Sequence, residues 1–327
     1  MIAFLMLLLL PVTHSWNLFQ PALAPKVCGH GCCNVGSDKL LLFGGLKEDR
    51  TATNELWLYE KKKWELMIPS EKGPGPRMYV GMAFLNSKVY VMGGWDPEAK
   101  GSGGSFKDEI WSLNPATLEW AQCGKLPCGP ISRHTAVKVG DSIIMHTFKP
   151  GDEGVVVLRD DGTCHAQATS GDAPEGLSMC TAAALTDHEM IIFGGSTKTQ
   201  QMSNDVYVLD TKTWVWTKLQ ATGSIPPPRA SSSMARIDDR SAIVFGGAGL
   251  RPEGYGGGAG LMGSDETYVL SLQDDGAAEW SWVNVDSPPR ARIAASLNYM
   301  SENEVLLTGG WDPSTTEMFD DACTLKL

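Results

Sequence analysis

One phrase recurs along this chain at an interval of about fifty residues, and it limits the fold more than any other feature. A short apolar run closes on paired glycine in Lys39-Leu40-Leu41-Leu42-Phe43-Gly44-Gly45, Lys88-Val89-Tyr90-Val91-Met92-Gly93-Gly94 and Met190-Ile191-Ile192-Phe193-Gly194-Gly195. It closes the same way in Ala242-Ile243-Val244-Phe245-Gly246-Gly247 and Val305-Leu306-Leu307-Thr308-Gly309-Gly310. The gap between the second and third of these is of double length, and Ser142-Ile143-Ile144-Met145-His146-Thr147 stands in its middle with the glycines replaced. There are thus six copies, one of them degenerate.

The rest of the sentence recurs with the phrase. After a polar loop come the acid- or amide-led runs beginning at Asn54, Asp108, Asn204 and Asp265. Tryptophan marks a last run at Trp64, Trp120, Trp216 and Trp282, and Pro-Arg or a near variant opens the next unit at Arg77, Arg133, Arg229 and Arg290. Each run is short, rich in β-branched and aromatic residues, and bounded by Gly, Asn, Asp or Thr, which is the pattern of strands. Paired glycine suits a strand that ends where backbones crowd and φ turns positive. A recurring tryptophan supplies an apolar face too large for one unit to bury, so units must pack on their neighbours.

This order of elements resembles the kelch repeat, one four-stranded blade of a β-propeller of the type seen in the central domain of galactose oxidase. The resemblance implies an all-β, six-bladed kelch-type propeller. Its units fall at residues 27–76, 77–132, 133–177, 178–228, 229–289 and 290–327, the last completed by 16–26. Ser15-Trp16-Asn17-Leu18-Phe19, followed by Pro25-Lys26, copies an outer strand and its junction, while the last unit stops one strand short at Leu327. The N-terminal outer strand is therefore expected to pair with the C-terminal three and leave no open sheet edge. Residues 16–327 are read as a single domain, since no polar linker or helical periodicity divides them.

Residues 1–15 carry an apolar run too short to span a bilayer and suited to a secretory leader, although a basic start is lacking. The expected location is the secretory pathway or the cell exterior, with the cytoplasm or an organelle lumen as the alternative. Stable membrane insertion is not expected. The formal net charge of -11 argues against nucleic-acid partners and fits a soluble monomer. Cys123 and Cys128 flank a turn and are placed to bridge in an oxidising compartment; Cys32, Cys33, Cys180 and Cys323 read as small apolar core residues.

In a four-stranded blade, the loop between the second and third strands and the connection to the next blade emerge on one face. There the arginines Arg77, Arg133, Arg229 and Arg290, with Lys26 as a fifth cation, are expected to ring the channel mouth. Two loops on that face share Gly-Gly-Trp-Asp-Pro, at Trp95-Asp96-Pro97 and Trp311-Asp312-Pro313, and a Gly-rich third carries Tyr255. In kelch proteins, arginines at the start of inner strands can line a pocket for acidic peptide segments, so the resemblance implies a protein or acidic-peptide partner. The residue-level alternative is that each junction arginine pairs with a neighbouring blade's Asp or Glu.

No catalytic, metal or cofactor constellation emerges. None of the six histidines pairs with another at metal-ligand spacing, and His30 between Cys28 and Cys32 is read as a packed residue. The copper-ligand set of galactose-oxidase-like enzymes and the Glu-x3-Asp-x3-His pattern of iron-dependent specifier proteins are both missing, as are a nucleophile elbow and a phosphate-cradling loop. No BTB-like or F-box-like segment precedes the repeats. A binding module is thus preferred over the runner-up, a secreted sugar-active isomerase or lyase using Arg133 or Arg229 with Asp96 or Asp312.

Overall fold

The computed structural model describes residues 15–19, 24–69, 72–99, 103–250, 260–301 and 303–327. The leader reading of residues 1–15 falls almost wholly outside them, and the Tyr255 expectation entirely so. Six antiparallel sheets are arranged in sequence order as blades. Blade 1 runs from the inner strand Gly31–Gly36 through Lys39–Phe43 and Leu56–Glu60 to the outer strand Lys63–Met67. Blades 2 to 5 repeat the meander from inner strands at Gly81–Leu85, Thr135–Val139, Thr181–Ala184 and Ser233–Arg236. Blade 6 takes three strands from Ser296–Tyr299, Glu304–Thr308 and Ala322–Lys326, and its fourth is Trp16–Phe19.

That fourth strand closes the circle. Trp16 lies opposite Leu325 and Phe19 opposite Ala322. The Trp16 indole also packs edge-on to Phe245 of blade 5 at 5.4 Å and donates to Thr267 Oγ1 at 3.3 Å. One residue therefore ties the chain start to two blades.

Between blades the apolar clusters interlock. Trp120 of blade 2 meets Phe43 of blade 1, and Trp280 of blade 5 meets Phe193 of blade 4, each an outer-strand indole against the phenylalanine that precedes a glycine pair. The sequence pattern pointed to Trp282 for this role, but Trp282 is 54% exposed and Trp280 is buried. Both face the same way two residues apart, and only the lower one reaches the neighbouring blade. In blade 3, His146 stands where the phenylalanine would be and packs on Trp216 of blade 4. The degenerate unit thus keeps the contact with a different ring.

The glycine pairs are required by the seams. The second glycine's N–H donates to the residue that opens the next blade, as from Gly45 to the Arg77 carbonyl and from Gly195 to that of Arg229. A Cβ on Gly44 would stand 2.6 Å from the same Arg77 oxygen, at a φ of +70°. Blades 4 and 5 depart from the four-stranded expectation: Ser170–Gly171 and Ala221–Gly223, from the linkers before them, add a short parallel strand to each outer edge. The Cys123–Cys128 bridge is not formed. The two thiols are not joined, and that of Cys123 lies 3.1 Å from Ser112 Oγ.

Candidate functional site: the mouth of the channel

One residue from each blade builds the neck of the channel: Gly29, Tyr79, Arg133, Met179, Ser231 and Ala294. All six have φ between +52° and +62°. In that conformation each N–H points along the circumference, and it donates to the carbonyl of the residue before it in the ring. The chain of bonds runs from Tyr79 to Gly29, Arg133 to Tyr79, Met179 to Arg133, Ser231 to Met179 and Ala294 to Ser231, and Gly29 to Ala294 closes it, at 2.6 to 3.2 Å. Left-handed backbone costs roughly 1–2 kcal/mol at a residue with a Cβ. The closed hydrogen-bond circle and the inter-blade packing hold it in place.

The expected ring of arginines splits at this level into three kinds. Arg77 and Arg229 stand two residues before the neck and are buried in the seams, not presented at the mouth. Arg77 donates to the Gly75 and Gly93 carbonyls and pairs with Glu109 at 2.8 Å. Arg229 repeats the pattern with Pro227, Gly246 and Glu266, the last at 2.7 Å. Burial pushes the Glu266 carboxyl up, but the Arg229 hydrogen bond and charge outweigh it and hold the group below its ordinary range. Blade 6 fills the same place with Arg292, which was not anticipated. Arg292 grips both oxygens of Asp321 at 2.5 and 2.8 Å.

Arg290 is instead exposed, pairs with Glu317 at 2.8 Å and lies over Phe319. Lys26 pairs with Glu48. Arg133 differs from all of these. It is half-buried on the neck itself, its guanidinium over Tyr79 at 5.0 Å and over Trp95 at 5.4 Å, with no carboxylate partner among the described residues. One blade round on the other side, the exposed Arg50 lies over Trp311 at 5.4 Å, again with no carboxylate partner among the described residues.

The two Trp-Asp-Pro loops serve these cations as platforms. Trp95 is pinned by its indole N–H to the Gly103 carbonyl at 2.8 Å and stacks on Phe106. Asp96 and Asp312 turn back into their own loops, where Asp96 receives the Glu98 N–H and Asp312 receives both the N–H and the hydroxyl of Ser314. Burial acts to raise the Asp312 pKa, and the Ser314 bonds bring it below its usual value. Neither aspartate forms an ion pair with a junction arginine; Asp96 has Lys107 at 3.8 Å. The arginine–aspartate pocket of the enzyme reading is therefore not assembled among the described residues. No group of three His, Cys, Asp or Glu there could hold a metal ion.

Sequence reasoning missed Arg50, Tyr79 and Arg292. A signal existed for Arg292: it stands 17 residues before its own blade's first glycine, matching 16 for Arg77 and 17 for Arg229. Proline pointed to Arg290 instead. Nothing in the spacing marks Arg50, whose position follows from a left-handed turn at φ +67°.

The comparisons agree with this architecture. The family described as the KLHDC2/KLHL20/DRC7 Kelch-repeats domain matches residues 5–160 and 133–327. Acyl-CoA-binding domain-containing protein 6 of Oryza sativa subsp. japonica is 26% identical over 205 residues, covering 57% of this chain and 30% of that protein. Acyl-CoA-binding domain-containing protein 5 of Arabidopsis thaliana is 26% identical over 268 residues, 76% of this chain and 38% of that protein. Human Kelch domain-containing protein 3 is 22% identical over 262 residues, 75% of this chain and 67% of its own. The chain thus spans well under half the length of the two plant relatives. Among solved structures, that titled "Structure of YjhT" superposes with a TM-score of 0.69 at 16% identity, covering 92% of this chain and 95% of the other. With both halves matched by the kelch-repeat description and six blades closed in a circle, the chain belongs to the kelch-repeat family.

Proposed function

We propose that this propeller is a protein-interaction module that captures an acidic segment of its partner at the channel mouth. The observation that carries the reading is the Arg133 guanidinium: a cation half-buried on an aromatic platform, with no carboxylate among the described residues to neutralise it. A guanidinium so placed keeps its planar fork for an incoming carboxylate or phosphate and loses little rotamer freedom on binding. Arg50 on Trp311 supplies a second cation on the same face, and Arg290, already paired, a weaker third. Trp95 and Trp311 offer rigid apolar surface beside the charges, the combination that anchors protein interfaces.

The test is a fluorescein-labelled acidic peptide library probed against the wild type and against Arg133→Glu with Arg50→Glu. Selected peptides are expected to lose binding at least tenfold in the double variant, with the thermal midpoint nearly unmoved. Equal binding by both proteins would refute the reading.

A further inference from the structure

The seams of blades 2, 5 and 6 are built from the same three parts: Arg77, Arg229 or Arg292, the carbonyl of the first glycine of the pair, and the acid that leads the third strand. The other three blades place Ile131, Leu177 and Val27 at the arginine's position, all buried. Blade 3 has lost the acid as well, with Gly154 before its third strand. Blade 4 keeps Asp205 and supplies the charge from its outer strand, where Lys218 pairs with that carboxylate at 2.9 Å and lies over Tyr207. Blade 1 keeps Glu55 and has neither cation. Val27 is apolar, and Leu66 stands opposite Trp57 where blade 4 has Lys218 opposite Tyr207.

What blade 1 retains suits a guanidinium. The Glu55 carboxylate accepts the Trp57 indole N–H at 3.0 Å and has no cation partner among the described residues. The Gly44 carbonyl, whose counterparts at Gly93, Gly246 and Gly309 are capped by arginine, receives no hydrogen bond from the described residues. Trp57 is half-buried at the strand position of Tyr268, whose ring lies under the Arg229 guanidinium at 5.3 Å. Val27, Glu55 and Trp57 border an open depression of about 540 Å³, ample for an arginine side chain. Lys26 and Lys47 face Glu48 and Asp49 around it, and Lys26 is already paired with Glu48. With Glu55 the lining thus sets two lysines against three carboxylates, an excess of one negative charge. A carboxylate beside an aromatic ring is the setting a planar, weakly hydrated cation prefers.

We propose that this depression binds a guanidinium group, with Glu55 as its counter-ion and Trp57 as its shelf. The group's source is either an arginine side chain of a partner or a small free base. The site shares no residue with Arg133 and its platform, so it goes beyond the mouth reading and is tested apart from it.

Three probes are titrated into the full chain while the Trp57 indole N–H resonance is followed by NMR: N-acetyl-Gly-Arg-Gly-amide, its citrulline counterpart and methylguanidinium. Saturable displacement by a guanidinium probe is expected, with citrulline, of the same shape and no charge, at least about tenfold weaker. Saturation by the arginine peptide assigns the site to a pendant side chain, and saturation by methylguanidinium alone assigns it to a free base. Glu55→Gln, which still accepts the Trp57 N–H, is expected to weaken binding by about tenfold or more with the thermal midpoint near wild type. A resonance unmoved by both guanidinium probes, or moved equally by citrulline, would overturn the inference, as would unchanged binding in Glu55→Gln. Arg133→Glu is expected to leave the titration as in wild type, which separates a failure here from a failure of the mouth reading.

Discussion

Arg292 and Arg133 are the same residue type placed two repeat positions apart, and the fold treats them in opposite ways. Arg292 enters a seam with essentially no solvent contact, where it grips Asp321 with two nitrogens and caps the Gly309 carbonyl. Arg77 and Arg229 do the same in blades 2 and 5. Arg133 sits on the neck, where the backbone ring consumes its N–H and carbonyl and leaves the side chain free above. The repeat register decides which role an arginine takes. In the seam, the glycine pair ends a strand and leaves a carbonyl to be capped, and the acid that leads the third strand supplies the counter-charge. On the neck neither is in reach.

Arg292→Ala leaves the Asp321 carboxylate buried and unpaired, and removal of one partner of a buried pair typically costs about 3–5 kcal/mol. Urea denaturation is expected to show a loss of that order. A loss below about 1 kcal/mol would mean that the seam arginines are dispensable and differ from Arg133 only in exposure.

Acid acts on the seams through three buried histidines. His30 and His134 each follow a neck residue by one, yet their rings turn into the seams: a Cβ on Gly309 would stand 2.7 Å from the His30 ring, and one on Gly81 would stand 2.6 Å from His134 Nε2. His146 completes the set against Trp216. Burial pushes all three down to about 4, with His146 adding to the depression at His134. The unfolded chain takes up these protons near pH 6.5, so the stability that the neutral rings contribute is complete above that pH. It declines as pH falls from about 6.5 toward 4 and is flat below. At pH 5 the loss amounts to about 2 kcal/mol for each ring in the linkage relation. Denaturation midpoints at pH 7 and pH 5 should differ accordingly, and His134→Phe should narrow the difference. Equal midpoints would show that the rings are protonated without penalty.

The blades were legible from the sequence because each glycine pair is enforced by a backbone contact that no other residue tolerates. The ring closure was legible because Trp16 has the same office as Trp120 and Trp280. The site was legible only in part. Pro-Arg is a local pattern, and a two-residue slip between Arg290 and Arg292 exchanges a surface ion pair for a buried one. Likewise Trp280 and Trp282 share a strand face, and only depth along the blade separates the buried ring from the exposed one. Arg50 reaches Trp311 from a different blade, a contact between residues at opposite ends of the chain that no local spacing encodes.

The smallest expected change in stability comes from Arg133→Gly, and it separates the two kinds of arginine most cleanly. At φ +61° the arginine backbone is strained, and glycine removes that strain. Glycine also gives the unfolded chain more freedom, an opposing effect of about 0.5–1 kcal/mol. The lost guanidinium leaves no buried carboxylate behind, because none of the described residues pairs with it. The net shift should lie within about 1 kcal/mol of zero, read by urea denaturation, while capture of acidic peptides falls as far as in Arg133→Glu. A variant that unfolded would place Arg133 with the seam arginines. One that kept full binding would move the positive point of the mouth to Arg50, whose own Glu variant would then carry the whole effect.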